Sequence, residues 1–483
     1  MWRRKLIGIV GGFFLLSACL LQPVPVRADW ETAERHQTET TQPAFYYQQE
    51  KYIPLWPVDI EDKDNPLVAL PDLANLLGLD YRYYSGNEQI ALDWHGTCLT
   101  MQIGSRQAVY DNKPAALTIV PTSKNNIFYV PLVDVVKTLG GEVATTTGGF
   151  AVSFPEGAAP DTSAPLVEKP EELVPATAEL YQPVSLMPTD YNARKIQQGD
   201  LNNDGQPEVV LSYRTGDGNY GVVVGRQVEQ KWQKIWQQEN SFPLDTVRLV
   251  NLTGKATDLL IGRIIGVSAG AVLQVYSMQG DRLVLTGNNF YHRLDTGDFD
   301  SDGQLEFVTW QKDTGPTFMV EAWRWDGRRF VPLADYKEYF ADQVVGYYRK
   351  QLKTLSEARY VYYYLADAYI RAGQAERALD AIDSALHLPY GYPGNEQFYI
   401  LRGHALVAAG DYARAVSAYQ AAESITPEIL PAEAHYRLAL CYKYLGEMTR
   451  AKQEMYMAIQ QGNSWPGFNQ AWQYLQEWEN STK

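Results

Sequence analysis

Two acidic stretches carry the clearest chemistry in the chain. In Asp200-x-Asn202-x-Asp204-Gly205-x-x-Glu208 every second side chain offers oxygen, and Asp298-x-Asp300-x-Asp302-Gly303-x-x-Glu306 repeats the spacing without a gap. Alternate side chains converge on one point, the glycine permits a tight turn, and the last carboxylate closes the shell. Hard oxygens in that number suit Ca²⁺. These eight residues are therefore expected to hold structural calcium. A third segment from Val250 keeps Asn251 and Thr253, but its loop is a residue shorter and Lys255 intrudes, so no calcium is expected there. An EF-hand would need Glu at the twelfth loop position, where Leu211 stands amid strand-like residues.

Few other reactive patterns appear. The sequence has no P-loop or SxxK, and its six His form no HxH or HExxH. No catalytic residue is assigned, and a non-enzyme is expected. The competing class is a carbohydrate-acting or hydrolytic enzyme with an unrecognised site in the β region. Three Cys, at 19, 98 and 441, give no disulfide framework, and Cys98 and Cys441 read as buried apolar fillers. A net charge of −15 repels phosphate backbones, which sets nucleic acid aside as a partner.

The acidic stretches belong to a repeat. Segments starting at Gly199, Val250 and Gly297 recur with a period near 49, and each is followed by further apolar strands. Four short strands per repeat is the content of a propeller blade. The loops resemble those of FG-GAP or VCBS repeats, which implies a β-propeller-like all-β domain over 181–338, here with three detected blades and structural calcium.

Residues 1–28 read as a signal peptide: Arg3, Arg4 and Lys5, then an apolar run from Leu6 to Leu21. Two cleavage readings compete. Val26-Arg27-Ala28 has the small-x-small form, whereas Leu16-Ser17-Ala18-Cys19 resembles a lipobox with Cys19 as its lipidation site. The first is preferred, because the apolar run continues past the Cys; the mature chain would then carry −19. An extracytoplasmic location is expected, secreted or attached to the cell envelope. Residues 29–50 read as a polar spacer.

An internal duplication follows. Val68 to Tyr81 matches Val130 to Val143 at a constant offset of 62, each copy reading as a short helix and then strands. The string "YVPLVDVVKTLGGEV" is similar to the copper amine oxidase N-terminal domain, assigned to 51–155. The resemblance implies a small α+β, stalk-like, non-catalytic surface module. Copper is not expected, since neither His ligands nor a cofactor precursor occurs. Prolines every five residues from Pro155 to Pro175 predict an extended connector over 156–180.

The last third, 339–483, is helical. Gly373, Gly410 and Gly446, spaced 37 and 36 apart, align small residues at Ala366, Gly403 and Ala439, and again at Ala378, Ala415 and Ala451. The pattern resembles tetratricopeptide repeats, an α-solenoid of helix pairs, with Phe468, Trp472 and Leu475 on a capping helix. That resemblance implies a groove for a protein or peptide, lined by Tyr360, Tyr363, Asp367 and Arg371, by Gln397 and His404, and by Tyr436, Lys443 and Tyr444. Arg371 and Lys443 are expected to recognise acidic groups of the partner. The chain thus reads as a multidomain exported scaffold or adhesion protein, with envelope polysaccharide as a further ligand class.

Overall fold

The duplicated halves of the N-terminal module pair through their leading strands. Leu67–Ala69 runs antiparallel to Ile127–Pro131, with Val68 opposite Val130, and helices Leu70–Leu77 and Leu132–Thr138 leave from the two ends. The apolar positions Leu70, Leu73, Leu76 and Leu77 are buried in the core this helix shares with strands Leu67–Ala69 and Ile127–Pro131, and a five-stranded antiparallel meander over 80–116 follows it. Neither helix is capped by its own side chain. Instead the duplicated aspartates reach outward. Buried Asp72 accepts from the backbone N–H of Leu55 (2.8 Å) and Trp56 (3.0 Å) and from the Tyr52 hydroxyl (2.8 Å), while Asp134 accepts from Thr118 N–H at 2.6 Å.

In this computed structural model residues 43–480 are described, apart from 48–49, 85, 95–96, 125–126, 155–163, 188–190, 192 and 334–335. The signal segment, Cys19 and both cleavage readings lie outside the described residues, as does most of the 29–50 spacer. The end of that spacer is no spacer: Ala44–Tyr47 adds a strand parallel to Gly149–Ser153, with Phe45 buried and stacked on Phe150. Among the described residues no helix is long and apolar enough to cross a membrane.

The Pro-rich segment also departs from expectation. From Ala164 it lies along the first sheet of the β region: Leu166–Val167 pairs with Trp232 and Gln233, Ala178–Leu180 pairs with Tyr213–Thr215, and Leu173 is buried between. Proline removes backbone donors, which suits short outer strands rather than central ones. Three antiparallel sheets follow in chain order, built around Ile196–Gly199 to Lys231–Asn240, Leu244–Val250 to Arg282–Tyr291, and Arg293–Gly297 to Phe330–Leu333. Each contains a four-stranded meander, and in each the loop between the first two strands of that meander is one of the three repeated segments.

The helical block contains the pairs Arg359–Arg371 with Ala375–Leu386, Asn395–Ala408 with Tyr412–Ile425, and Ala432–Tyr444 with Met448–Gln460, then Phe468–Asn480. Gly373, Gly410 and Gly446 take φ of 71°, 78° and 81°, the left-handed stop that ends the first helix of each pair. Close helix approach explains the small residues. Ala366, Ala378, Ala415, Ala439 and Ala451 are fully buried, and a Cβ on Gly403 would stand 2.4 Å from the Tyr419 ring.

These parts pack together rather than forming an extended stalk. Asn463, in the turn before the last helix, accepts from Tyr81 N–H (2.8 Å) and donates to Leu79 O (2.6 Å), and Trp56 packs on Trp472 at 5.0 Å. Arg329, in the turn between the last two strands of the third sheet, bonds Asp80 and the Asn463 carbonyl.

Candidate functional site

The loops are organised around buried acids. Glu208 and Glu306 begin the second strands of their sheets, are 1% and 0% exposed, and accept from the backbone N–H of Leu201 (2.9 Å) and Phe299 (3.1 Å) across the loop. Asp200 and Asp298 accept from the backbone of Asp204 and Gly205, and of Asp302 and Gly303. Asn202 donates to Asp204 at 2.9 Å. In the third sheet one oxygen each of Asp298, Asp300 and Glu306 lies within 4.8 Å of the others. Oxygens about 2.4 Å from one ion are at most ~4.8 Å apart, so the three lie within reach of one cation.

Sequence reasoning missed an arginine beside each of the two acid-rich loops. Arg226 Nε donates to Glu208 at 3.3 Å, and Arg324 donates to Glu306 at 2.9 Å while also bonding Asp300 and lying 3.2 Å from Asp302. Both stand 18 residues after the closing acid, on the adjacent strand. In the middle sheet Asp258 takes the closing position, bonded by Leu252 N–H, Thr253 and, 19 residues on, the Ser277 hydroxyl. Arginine thus accompanies the acid-rich loops and serine the acid-poor one. Burial pushes the Glu306 carboxyl above the usual range, and Phe299 N–H and Arg324 pull it back.

The second site lies where the third sheet meets the first helices of the repeats. Tyr363, Asp367, Arg371, Gln397 and His404 line one cleft of about 180 Å³, together with Glu433 and, from strand Phe318–Trp325, Glu321. Arg371 donates to Asp367 (3.0 Å) and to both oxygens of Glu321 (3.0 and 3.4 Å), so the guanidinium expected to recognise an acidic partner is engaged internally. Glu433 is held by Arg437 at 2.7 Å, which keeps its carboxyl down at about 2 despite burial. His404 is 7% exposed, and its Nε2 has no hydrogen-bond partner among the described residues. Burial, with Arg437 nearby, pushes its imidazole down to about 3.

The remaining groove residues are placed elsewhere. Tyr360 packs beside Gly315 in a turn of the third sheet, and Tyr436 packs on Trp465 at 5.5 Å. Lys443 lies over the Tyr474 ring at 4.7 Å and the Trp478 ring at 5.6 Å. Tyr444 is 61% exposed and stacks on Tyr412 at 4.4 Å, outside the cleft. Five of the nine residues assigned from the glycine register thus share the cleft and four do not; the register carries no trace of the sheet and cap that cover these helices. Cys441 is buried as expected, whereas Cys98 is exposed because the outer face of its strand meets solvent.

A larger cavity of about 580 Å³ is lined by Asp295, Asp298, Glu338 and Asp342, with Tyr191 and Tyr339. Asp295 is fixed there by Tyr339 Oη (2.6 Å), Trp310 Nε1 (3.2 Å) and Arg293 (2.9 Å).

Residues 47–152 match the copper amine oxidase N-terminal domain, and residues 396–429 and 432–460 match the tetratricopeptide repeat. The FG-GAP or VCBS resemblance has no counterpart among these matches. No curated protein matches the chain. A solved structure, the crystal structure of MamA, is similar at 22% identity over 29% of this chain and 78% of that one, with a TM-score of 0.23. The chain therefore carries a copper amine oxidase N-terminal module, a non-catalytic stalk domain by family, with a large all-β region between it and a block of tetratricopeptide repeats.

Proposed function

We propose that the chain is an exported scaffold of the cell envelope that holds a protein partner on its helical repeats. The observation that carries this reading is the cleft in which Tyr363, Gln397 and His404, from two successive first helices, face the third sheet. Repeats of this kind bind polypeptides, and a large aromatic with a polar tip serves as an anchor at low entropic cost. In the same reading calcium pins the two acid-rich loops of an incomplete propeller, displacing Arg226 and Arg324 from their carboxylates. The test is to purify a partner captured from native envelopes and titrate it against Tyr363→Ala. A loss of about thirtyfold is expected, since truncating an anchor costs at least ~2 kcal/mol. Tyr444→Ala, outside the cleft, should bind as wild type. Equal affinity in a folded Tyr363→Ala variant would remove the cleft from the binding surface.

The cavity around Asp295 favours a second reading, in which the β region binds or cleaves an envelope polysaccharide between Tyr191, Tyr339 and the carboxylates of Glu338 and Asp342. Purified envelope glycan incubated with the chain decides it: release of reducing ends, lost in Glu338→Gln or Asp342→Asn, supports it, and an unchanged glycan opposes cleavage.

A further inference from the structure

We propose that the cleft between the third sheet and the repeats takes one basic side chain, lysine or arginine, from the polypeptide partner. The inference rests on the scaffold reading above and adds the chemistry of the contact.

Size comes first. At about 180 Å³ the space is smaller than the ~300 to 1,000 Å³ of sites that enclose whole small-molecule ligands, and it suits a single side chain. Its charge is unbalanced. Three carboxylates line it, Glu321, Asp367 and Glu433, against Arg371, which the first two share, and Arg437 behind the lining, which holds Glu433, so one negative charge is in excess. An anion entering there would meet three carboxylates, whereas a cation would find acceptors already desolvated on one side.

His404 supplies an independent pointer. Its Nε2 is buried without a partner among the described residues, in a side chain that lines the cleft. A buried polar atom left unpaired is destabilising, so such groups are commonly completed by a ligand or water. Burial keeps this imidazole neutral, so it has a lone pair to offer to an N–H donor and no charge to offer to an anion. Tyr348 and Tyr363 form aromatic walls along which an aliphatic stem and its cation can lie. Ammonium or guanidinium on a short stem is the group that satisfies size, charge and donor polarity together.

The probe is the tripeptide Ac-Gly-Arg-Gly-NH2, with lysine, citrulline and glutamate versions and free arginine as comparisons. The readout is the His404 ring resonance in the whole chain, identified by its loss in His404→Gln. A saturable shift is expected with the arginine or lysine peptide, at least about tenfold weaker with the neutral citrulline isostere and with the glutamate version. Gln397→Lys, which places a cation in the cleft, should abolish it, and Asp367→Asn should weaken it with the fold checked by circular dichroism. An undisturbed His404 resonance at saturating arginine peptide, or equal binding of the citrulline version, would overturn the proposal. Tighter binding of free arginine than of the tripeptide would overturn the polypeptide source in favour of a free amine. A captured partner that needs Tyr363 but whose basic residues are dispensable would sink this inference and leave the scaffold reading standing.

Discussion

Arg371 and Glu321 stand 50 residues apart on different kinds of element, yet the guanidinium Nη1 of the first donates to Oε1 of the second at 3.0 Å. The pair joins the first repeat to the third sheet. Around it Tyr348 donates to the carbonyl of Phe318 and Tyr364 to Asp313, so one face of the repeat is covered by the chain itself. Arg371→Ala would leave Glu321 and Asp367 without their shared cation, and a loss of about 3 kcal/mol is expected, because breaking a buried ion pair strands the remaining charge. Denaturant unfolding followed by tryptophan fluorescence measures it. A midpoint unchanged from wild type would show that the pair adds nothing.

Calcium should raise the melting temperature of the chain. Extracellular calcium modules bind at ~10⁻⁴ to 10⁻³ M, and at ~10 mM calcium the tighter value gives about 2.7 kcal/mol per site. Asp204→Ala and Asp302→Ala should each remove part of the gain and Lys255→Ala none. Arg324→Gln should lower stability in chelator and sharpen the calcium response, since Arg324 bonds carboxylates that the ion would need. Identical melting with calcium and with chelator in all four variants would assign the loops to arginine alone.

His404 should make the chain acid-sensitive. Its pKa is depressed in the folded state to about 3, against about 6.5 when unfolded. Between those values the unfolded chain binds a proton that the folded chain refuses, so stability is lost as pH falls from about 6.5 towards 3. Unfolding midpoints compared between pH 7 and pH 5 should fall less in His404→Gln than in wild type. Equal slopes would place the titration elsewhere.

Thiol reagents should separate the two described cysteines. Cys98 is exposed on its strand and Cys441 buried between helices, where burial pushes its thiol up to about 12. One equivalent of maleimide is expected to react at Cys98 in the native chain, with Cys441 following only on unfolding. Mass mapping of the labelled peptides checks this, and rapid labelling of Cys441 would contradict its burial.

Asn463→Ala should loosen the N-terminal module. The side chain satisfies Tyr81 N–H and the Leu79 carbonyl, both in buried surroundings, and leaving two such groups unpaired costs about 2–6 kcal/mol in total. A lower melting temperature is expected, with faster protease cutting near residues 80–84. Wild-type protection would mean that water replaces the amide without loss.

Local pattern made much of this fold readable in the sequence. The offset of 62 between duplicated segments, the glycines at 373, 410 and 446, and the three loop repeats each report short-range geometry, and helices and strands stand at those places. What the pattern could not carry is pairing across distance. Arg226 and Arg324 were legible as a shared spacing after Glu208 and Glu306, but only once strand neighbours were known. Glu321 gave no local sign that it faces Arg371, and the prolines between 155 and 175 signal extension equally well for a free connector and for an edge strand. Tyr436 and Lys443 are covered by the aromatic cap at Trp465, Tyr474 and Trp478, and spacing within one repeat says nothing about a cap.

The Asn463 contact has a kinetic consequence. Tyr81 and Asn463 are 382 residues apart, and Arg82 forms a β-bridge with Gly462 beside them. During synthesis the early module emerges hundreds of residues before its partner, so its meander must wait with the backbone around Leu79 and Tyr81 unsealed. Closing so long a loop is slow relative to forming the hairpins and helix pairs. Docking of the 462–467 turn is therefore expected as a late step in maturation, after the sheets and repeats have formed separately, and an interrupted chain ending before residue 462 would expose that seam to proteases.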